Sequence, residues 1–207
     1  MSSKLRLMLL AISFLILNCN NTPKTPSFEY IYANENVISI CQENTTNTQL
    51  LNEAVFTFEN DLINFYDPIN KSPNRAYTKF LSAIRNGSID YTSIVSKHSV
   101  TVLNALKQDK SLWNLYDTIS PFNYKNPIVN CIAEHMKPAE FTTTFKALVH
   151  TNSLSFRMYD EELRRNTILA SQDKYLGLFV ALDLYYGKLY NIDFKTIKPV
   201  ENTNKTH

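Results

Sequence analysis

Glycine is scarce in this chain of 207 residues and occurs only at Gly87, Gly177 and Gly187. Loops that cradle phosphate groups and the fingerprints of dinucleotide-binding folds need several glycines at fixed spacing. The chain therefore has neither, and it also lacks the GxSxG, HExxH and CxxCH motifs of hydrolases, zinc peptidases and c-type cytochromes. No serine or cysteine is marked as a nucleophile by its neighbours. We therefore predict no catalytic residues and no cofactor.

Charge of either sign is also in short supply. The full chain carries 21 Lys and Arg against 19 Asp and Glu. Both surplus cations, Lys4 and Arg6, lie in the first 18 residues, which contain no acid. The remaining chain is formally neutral and has no basic excess of the kind that nucleic acids attract. We expect no nucleic-acid partner.

A run of eleven mostly apolar residues at positions 7–17 follows Lys4 and Arg6. A helix of that length is too short to span the hydrocarbon core of a membrane. A basic start, a short apolar run and a polar continuation are typical of a secretory signal peptide. The sequence therefore predicts a signal peptide over residues 1–18.

The run ends in Ile16, Leu17, Asn18 and Cys19. This ending resembles the lipobox of bacterial lipoproteins, in which the cysteine is lipidated and becomes the new N-terminus. The resemblance implies acyl chains such as palmitate on Cys19, and a domain outside the cytoplasm anchored to the cell membrane or the outer membrane. Residues 19–27, with two prolines, are predicted to be the lipidated cysteine and its tether. The alternative is an uncleaved anchor with an incidental cysteine.

The two other cysteines are Cys41 and Cys131. In an oxidising compartment they could form a disulfide, which would close a loop of about 90 residues and stabilise the fold by roughly 4 kcal/mol. Two buried free thiols are the alternative. His135 follows Cys131 at the spacing of a metal-ligand pair, but the chain has no second ligand motif, so we predict no metal site.

Apolar residues recur at helical spacing through most of residues 28–198. We therefore predict an all-α multi-helix bundle, with a short extended segment at its N-terminal end and a disordered tail at 199–207. The two halves, at about 50–115 and 116–187, align weakly and could be related repeats. Helices are predicted at 49–66, 73–86, 91–107, 112–116, 126–136, 138–149, 153–165 and 172–186.

Three residues form a possible buried polar site, namely His98, His135 and Asp183. Asp183 interrupts a helix that is otherwise apolar on every side. It could be buried and paired, with Lys188 or Tyr175 as partner, or it could mark the one solvent-facing edge of that helix.

The leading functional hypothesis is a lipid-anchored protein of the cell envelope that binds a protein partner and is not an enzyme. The membrane would be reached through the lipid on Cys19. The alternatives are an envelope hydrolase with an unrecognised site, or a binder of a small apolar ligand between the helices.

Overall fold

The structure, a computed structural model, describes residues 28–35, 41, 47–116, 120–137, 139–195 and 199. The predicted signal peptide, Cys19, the tether and residues 200–207 of the predicted tail lie outside these residues. Among the described residues, none of the helices has the length and apolar character needed to cross a membrane.

The described chain is helical and contains no β-strand, so the predicted all-α bundle is confirmed. A 3-10 turn covers Lys110–Leu112. The α-helices in chain order are α1 (Thr48–Tyr66), α2 (Pro73–Arg85), α3 (Tyr91–Ile94), α4 (Lys97–Leu106), α5 (Pro127–His135), α6 (Ala139–His150), α7 (Phe156–Arg165), α8 (Thr167–Gln172), α9 (Lys174–Val180) and α10 (Gly187–Leu189).

Helix α1 lies at the centre of the first half and packs against α2, α4 and α9. Its apolar stripe is buried as the spacing predicts, with Leu51, Val55 and Phe58 fully enclosed. Asn47 caps it by accepting a hydrogen bond from the backbone N–H of Gln49 at 2.9 Å.

The last helical stretch, residues 174–189, is the second central element. It is buried over almost its whole length, as a helix without a polar face should be. Residues Ala181–Tyr186 have π-helical hydrogen bonding, and the N–H of Gly187 donates to the carbonyl of Leu182, five residues earlier. The predicted end of this helix at residue 186 is wrong, because the φ of Gly187 is −59° and α10 continues to Leu189.

Two other predicted helices are split or absent in the structure. The helix expected over 91–107 is split into α3 and α4, because the backbone N–H of Ser96 donates to the buried carboxylate of Asp61 at 2.9 Å. The short helix expected at 112–116 is absent. Trp113 instead forms an isolated antiparallel bridge with Phe122.

The N-terminal segment at 28–35 is irregular and makes a turn at Tyr32–Glu35. The buried carboxylate of Glu53 holds it by accepting hydrogen bonds from the N–H groups of Ile31 and Tyr32, at 2.9 and 2.8 Å. A side chain of α1 therefore fixes the stretch that follows the predicted tether.

Candidate functional site

Asp183 is the centre of a buried polar cluster. It is 1% exposed and lies in the π-helical stretch. Its Oδ1 accepts hydrogen bonds from Ser120 Oγ at 2.5 Å and from Tyr124 Oη at 2.9 Å. Its Oδ2 accepts one from the hydroxyl of Tyr159. Asp183 is thus buried and paired, and its direct partners are hydroxyl groups.

Lys188 and Tyr175, the two partners proposed from the sequence, are not among the direct hydrogen-bond donors to Asp183. Lys188 contributes only a charge interaction that lowers the pKa of the Asp183 carboxyl. Tyr175 instead stacks on His135, with ring centroids 5.2 Å apart. The true donors were missed because they lie on a loop and on another helix, 24 to 63 residues away in sequence.

Burial raises the pKa of the Asp183 carboxyl above its ordinary value of 3.8, against the opposing effect of its three hydroxyl donors. Burial and the nearby carboxylate also raise the pKa values of Tyr124 and Tyr159 above the ordinary 10. Both phenols therefore keep their protons at neutral pH and act as hydrogen-bond donors. The cluster has the chemistry of a fixed structural anchor.

The anchored element is a loop at residues 113–126, here called the bridge loop, of which 117–119 lie outside the described residues. Two backbone hydrogen bonds close it, from Asn114 N to Pro121 O at 2.6 Å and from Asn123 N to Leu112 O at 2.8 Å. Ser120 and Tyr124 attach it to Asp183. The loop is therefore held on the rigid helical core, an arrangement by which binding loops are commonly positioned.

Gly187 permits the loop to approach the core closely. A Cβ at this position would lie 3.1 Å from the carbonyl oxygen of Leu182 and 3.4 Å from Ser120 Oγ. Any larger residue would therefore press on the π-helical stretch and on the loop together. The absence of a side chain at Gly187 leaves room for Ser120 to reach Asp183.

Two surface cavities flank the bridge loop, and Asn114 lines both. The first, of about 220 Å³, is bounded by residues of the loop and of the turn after α6. The second, of about 250 Å³, lies between Lys110, Trp113 and Tyr190. The bridge loop thus separates two depressions at one surface of the protein.

The outer part of the bridge loop exposes large apolar side chains. Leu115 is 63% exposed and Tyr116 is 97% exposed. Trp113, three residues before Tyr116, is nearly buried against Tyr190, with ring centroids 4.8 Å apart. Two adjacent exposed apolar side chains, on a loop whose base is buried, are typical of a surface that contacts another molecule.

His98 belongs to a different cluster from Asp183. Its Nε2 lies 2.5 Å from Oε1 of Glu53, and its ring is 6.2 Å from that of Phe28. His98 therefore helps Glu53 to hold the N-terminal segment.

His135 lies beside the disulfide. The structure joins Cys41 and Cys131, which is one of the two alternatives that the sequence left open. The Nδ1 atom of His135 lies 2.8 Å from the carbonyl oxygen of Cys131 and 3.7 Å from its sulfur. These three side chains are near enough to one another to hold a metal ion, but the disulfide engages the two sulfurs that would have to act as thiolate ligands.

The structure therefore does not bring His98, His135 and Asp183 together as one polar site. Each belongs to its own cluster, built on a separate set of partners.

Another buried carboxylate, Asp61, was not predicted from the sequence. It is 2% exposed and accepts hydrogen bonds from Ser99 Oγ and Tyr185 Oη, each at 2.6 Å. Asp61 lies three residues after Phe58, on the apolar stripe of α1. An acid on an apolar stripe was the available signal, the same one that drew attention to Asp183.

Comparisons with protein-family models, with curated proteins and with solved structures found no match for this chain.

Proposed function

We propose that this protein is a lipid-anchored binding module of the cell envelope, and that the bridge loop is the surface that binds a protein partner. The observation that carries the proposal is the exposure of Leu115 and Tyr116 on a loop whose base is fixed to the buried Asp183. A loop whose base is already fixed loses less conformational entropy when a partner binds.

The anchor is the second part of the proposal and rests on the lipobox resemblance at Cys19. A lipidated cysteine followed by a polar tether would hold the helical domain close to a membrane. The segment at 28–35, which Glu53 attaches to α1, would then connect the tether to the folded domain.

A hydrolase receives less support from the geometry. Asp183 and Asp61 are enclosed and already accept hydrogen bonds from hydroxyl groups, so neither is placed to contact a substrate. His98 and His135 serve the N-terminal segment and the region of the disulfide.

Site-specific photocrosslinking in intact cells tests the binding surface. A photoreactive amino acid at position 116 should give one dominant protein adduct, because the Tyr116 side chain is almost fully exposed. The matched control is position 158 on α7, where Met158 is 53% exposed. Leu115→Asp should abolish the adduct from position 116 while the protein remains folded by circular dichroism.

The same adduct from both positions, or none from position 116, would contradict the proposed surface. The anchor is tested separately by the intact mass of the membrane-extracted protein. Residues 19–207 plus acyl chains are expected, and Cys19→Ser should release the domain from the membrane fraction. An unmodified Cys19 would refute the anchor and leave the binding surface to be judged on the crosslinking result.

A further inference from the structure

The cavity of about 220 Å³ beside the bridge loop presents hydrogen-bond donors over an apolar floor. The floor includes Phe122 and Leu154, which are 1% and 7% exposed. Tyr124 also lines the cavity, and its hydroxyl donates a hydrogen bond to Asp183. The floor is therefore supported by the same anchor as the loop.

Three polar side chains that line this cavity, Lys125, Asn114 and Asn152, offer hydrogen-bond donors. Lys125 is exposed and makes no ion pair among the described residues. The Oδ1 atom of Asn114 accepts a hydrogen bond from Tyr116 N at 3.3 Å, which leaves its NH2 group as the available part of the amide. The amide of Asn152 also has no partner within the described part of the chain. None of the described lining residues is acidic.

Other polar groups near the cavity already make hydrogen bonds within the protein. Asn123 donates from its NH2 group to Ser111 O at 2.9 Å and accepts from Lys125 N at 3.1 Å. At the end of α6, the carbonyls of Leu148 and Val149 accept hydrogen bonds from Ser153 N and Asn152 N. Among the described lining side chains, one ammonium group and two amide NH2 groups remain available as donors that match a carboxylate, and the Asn152 amide adds one acceptor oxygen.

We propose that this cavity binds the C-terminal carboxylate of a polypeptide whose last residue is apolar. The carboxylate would lie against Lys125 and the amides of Asn114 and Asn152, and the last side chain would lie on the apolar floor. Cavities for drug-sized ligands have volumes of roughly 300–1,000 Å³, so a cavity of this size suits a single terminal residue. The inference rests on the proposed function, because it states which part of the protein partner this surface recognises.

Titration of the folded, 15N-labelled protein with short peptides, monitored by 1H–15N NMR spectra, tests this inference. The probes are an N-acetylated pentapeptide ending in Gly-Leu, the same peptide with a C-terminal amide, and 4-methylpentanoate. The free-acid peptide should shift the side-chain amide signals of Asn114 and Asn152. The amidated peptide should bind about tenfold more weakly, because it lacks the charged acceptor.

Three substitutions separate the contributions of the donors. Lys125→Met should weaken binding of the acid about fivefold and leave the amidated peptide unchanged. Asn152 has a φ of 51°, so Asn152→Gly removes the amide without straining the backbone, and it should weaken the acid about threefold. Lys146→Met, on the exposed surface of α6, is the matched control and should have no effect.

Equal affinity for the acid and the amidated peptide, or no saturable binding at millimolar concentration, would overturn the inference. If 4-methylpentanoate bound as tightly as the peptide, the occupant would be a free carboxylate, and the assignment to a polypeptide terminus would fall. A crosslinked partner at position 116 together with no peptide binding would refute the cavity alone. Peptide binding with no crosslinked partner would refute the proposed protein-binding surface.

Discussion

Substitution of Asp183 by alanine removes the acceptor that three hydroxyl groups share. Ser120 and Tyr159 are 2% and 1% exposed, so these two hydroxyls would be left buried without that acceptor, while Tyr124 can reach water more easily. An unpaired buried donor costs roughly 1–3 kcal/mol. Two such donors would together cost more than one, but water entering the vacated space would accept hydrogen bonds from them and reduce this cost. We therefore expect the free energy of unfolding to fall by about 3 kcal/mol.

Urea unfolding with the disulfide intact provides the measurement. The single tryptophan, Trp113, donates its ring N–H to Leu106 O and reports on the base of the bridge loop, and circular dichroism reports on the helices. A fall of about 3 kcal/mol corresponds to a midpoint lower by about 1.5 M urea, if the denaturant dependence is about 2 kcal/mol per molar. Both probes should move together if the loop and core unfold as one unit.

Two variants control for the loss of a carboxylate as such. Glu134 is exposed on α5, so Glu134→Ala should change the stability by less than about 0.5 kcal/mol. Asp183→Asn keeps an oxygen that can accept from Ser120 and Tyr124, and it should cost less than alanine. A midpoint for Asp183→Ala no lower than that for Glu134→Ala would refute the anchoring role of Asp183.

Three further predictions concern pH, the disulfide and the N-terminal segment. Because burial raises the pKa of Asp183, this group binds more protons in the folded than in the unfolded state, so its contribution to stability should fall as pH rises from about 4, and the stability difference between the wild type and Asp183→Asn in urea titrations should change with pH in that sense. Reduction of the Cys41–Cys131 disulfide should lower unfolding free energy by about 4 kcal/mol, measured as the shift in urea midpoint with dithiothreitol. In Glu53→Ala, the N-terminal segment loses the carboxylate that accepts its hydrogen bonds. Hydrogen–deuterium exchange measured by mass spectrometry should therefore be faster at the amide of Ile31, with little change in the core of α4.

The contrary outcomes are equally specific. An identical pH profile for the wild type and Asp183→Asn would mean that Asp183 does not titrate differently in the folded state. An unchanged midpoint in dithiothreitol would show that the disulfide does not stabilise the fold. Uniform faster exchange throughout Glu53→Ala would show global destabilisation, contrary to a local release of residues 28–35.

Local signals predicted the beginnings and ends of several helices well. Ser72 caps α2 in front of Pro73, and Gly87 takes the left-handed conformation after it, with a φ of 63°. Asn126 caps α5 in the same way. These features depend on neighbours a few residues away, so the information for them is present in short stretches of sequence.

The candidate site was much less predictable. The bridge loop was expected to contain a helix at 112–116, and its true shape depends on Ser120 and Tyr124 meeting Asp183, about 60 residues further along the chain. The split between α3 and α4 likewise depends on Asp61 in a different helix. Side chains distant in sequence override local helix propensity at such places, because a buried carboxylate must be given donors.

By itself, the amino-acid sequence determined an all-α fold, the positions of most helices and the central place of the final apolar stretch. Each of these follows from the spacing of apolar residues and from caps within one turn of a helix. Only the tertiary structure decided which hydroxyls pair with Asp183, that Cys41 pairs with Cys131, and that the bridge loop presents Leu115 and Tyr116 to solvent. Those outcomes depend on which distant surfaces pack together, and a local pattern in the sequence does not contain that information.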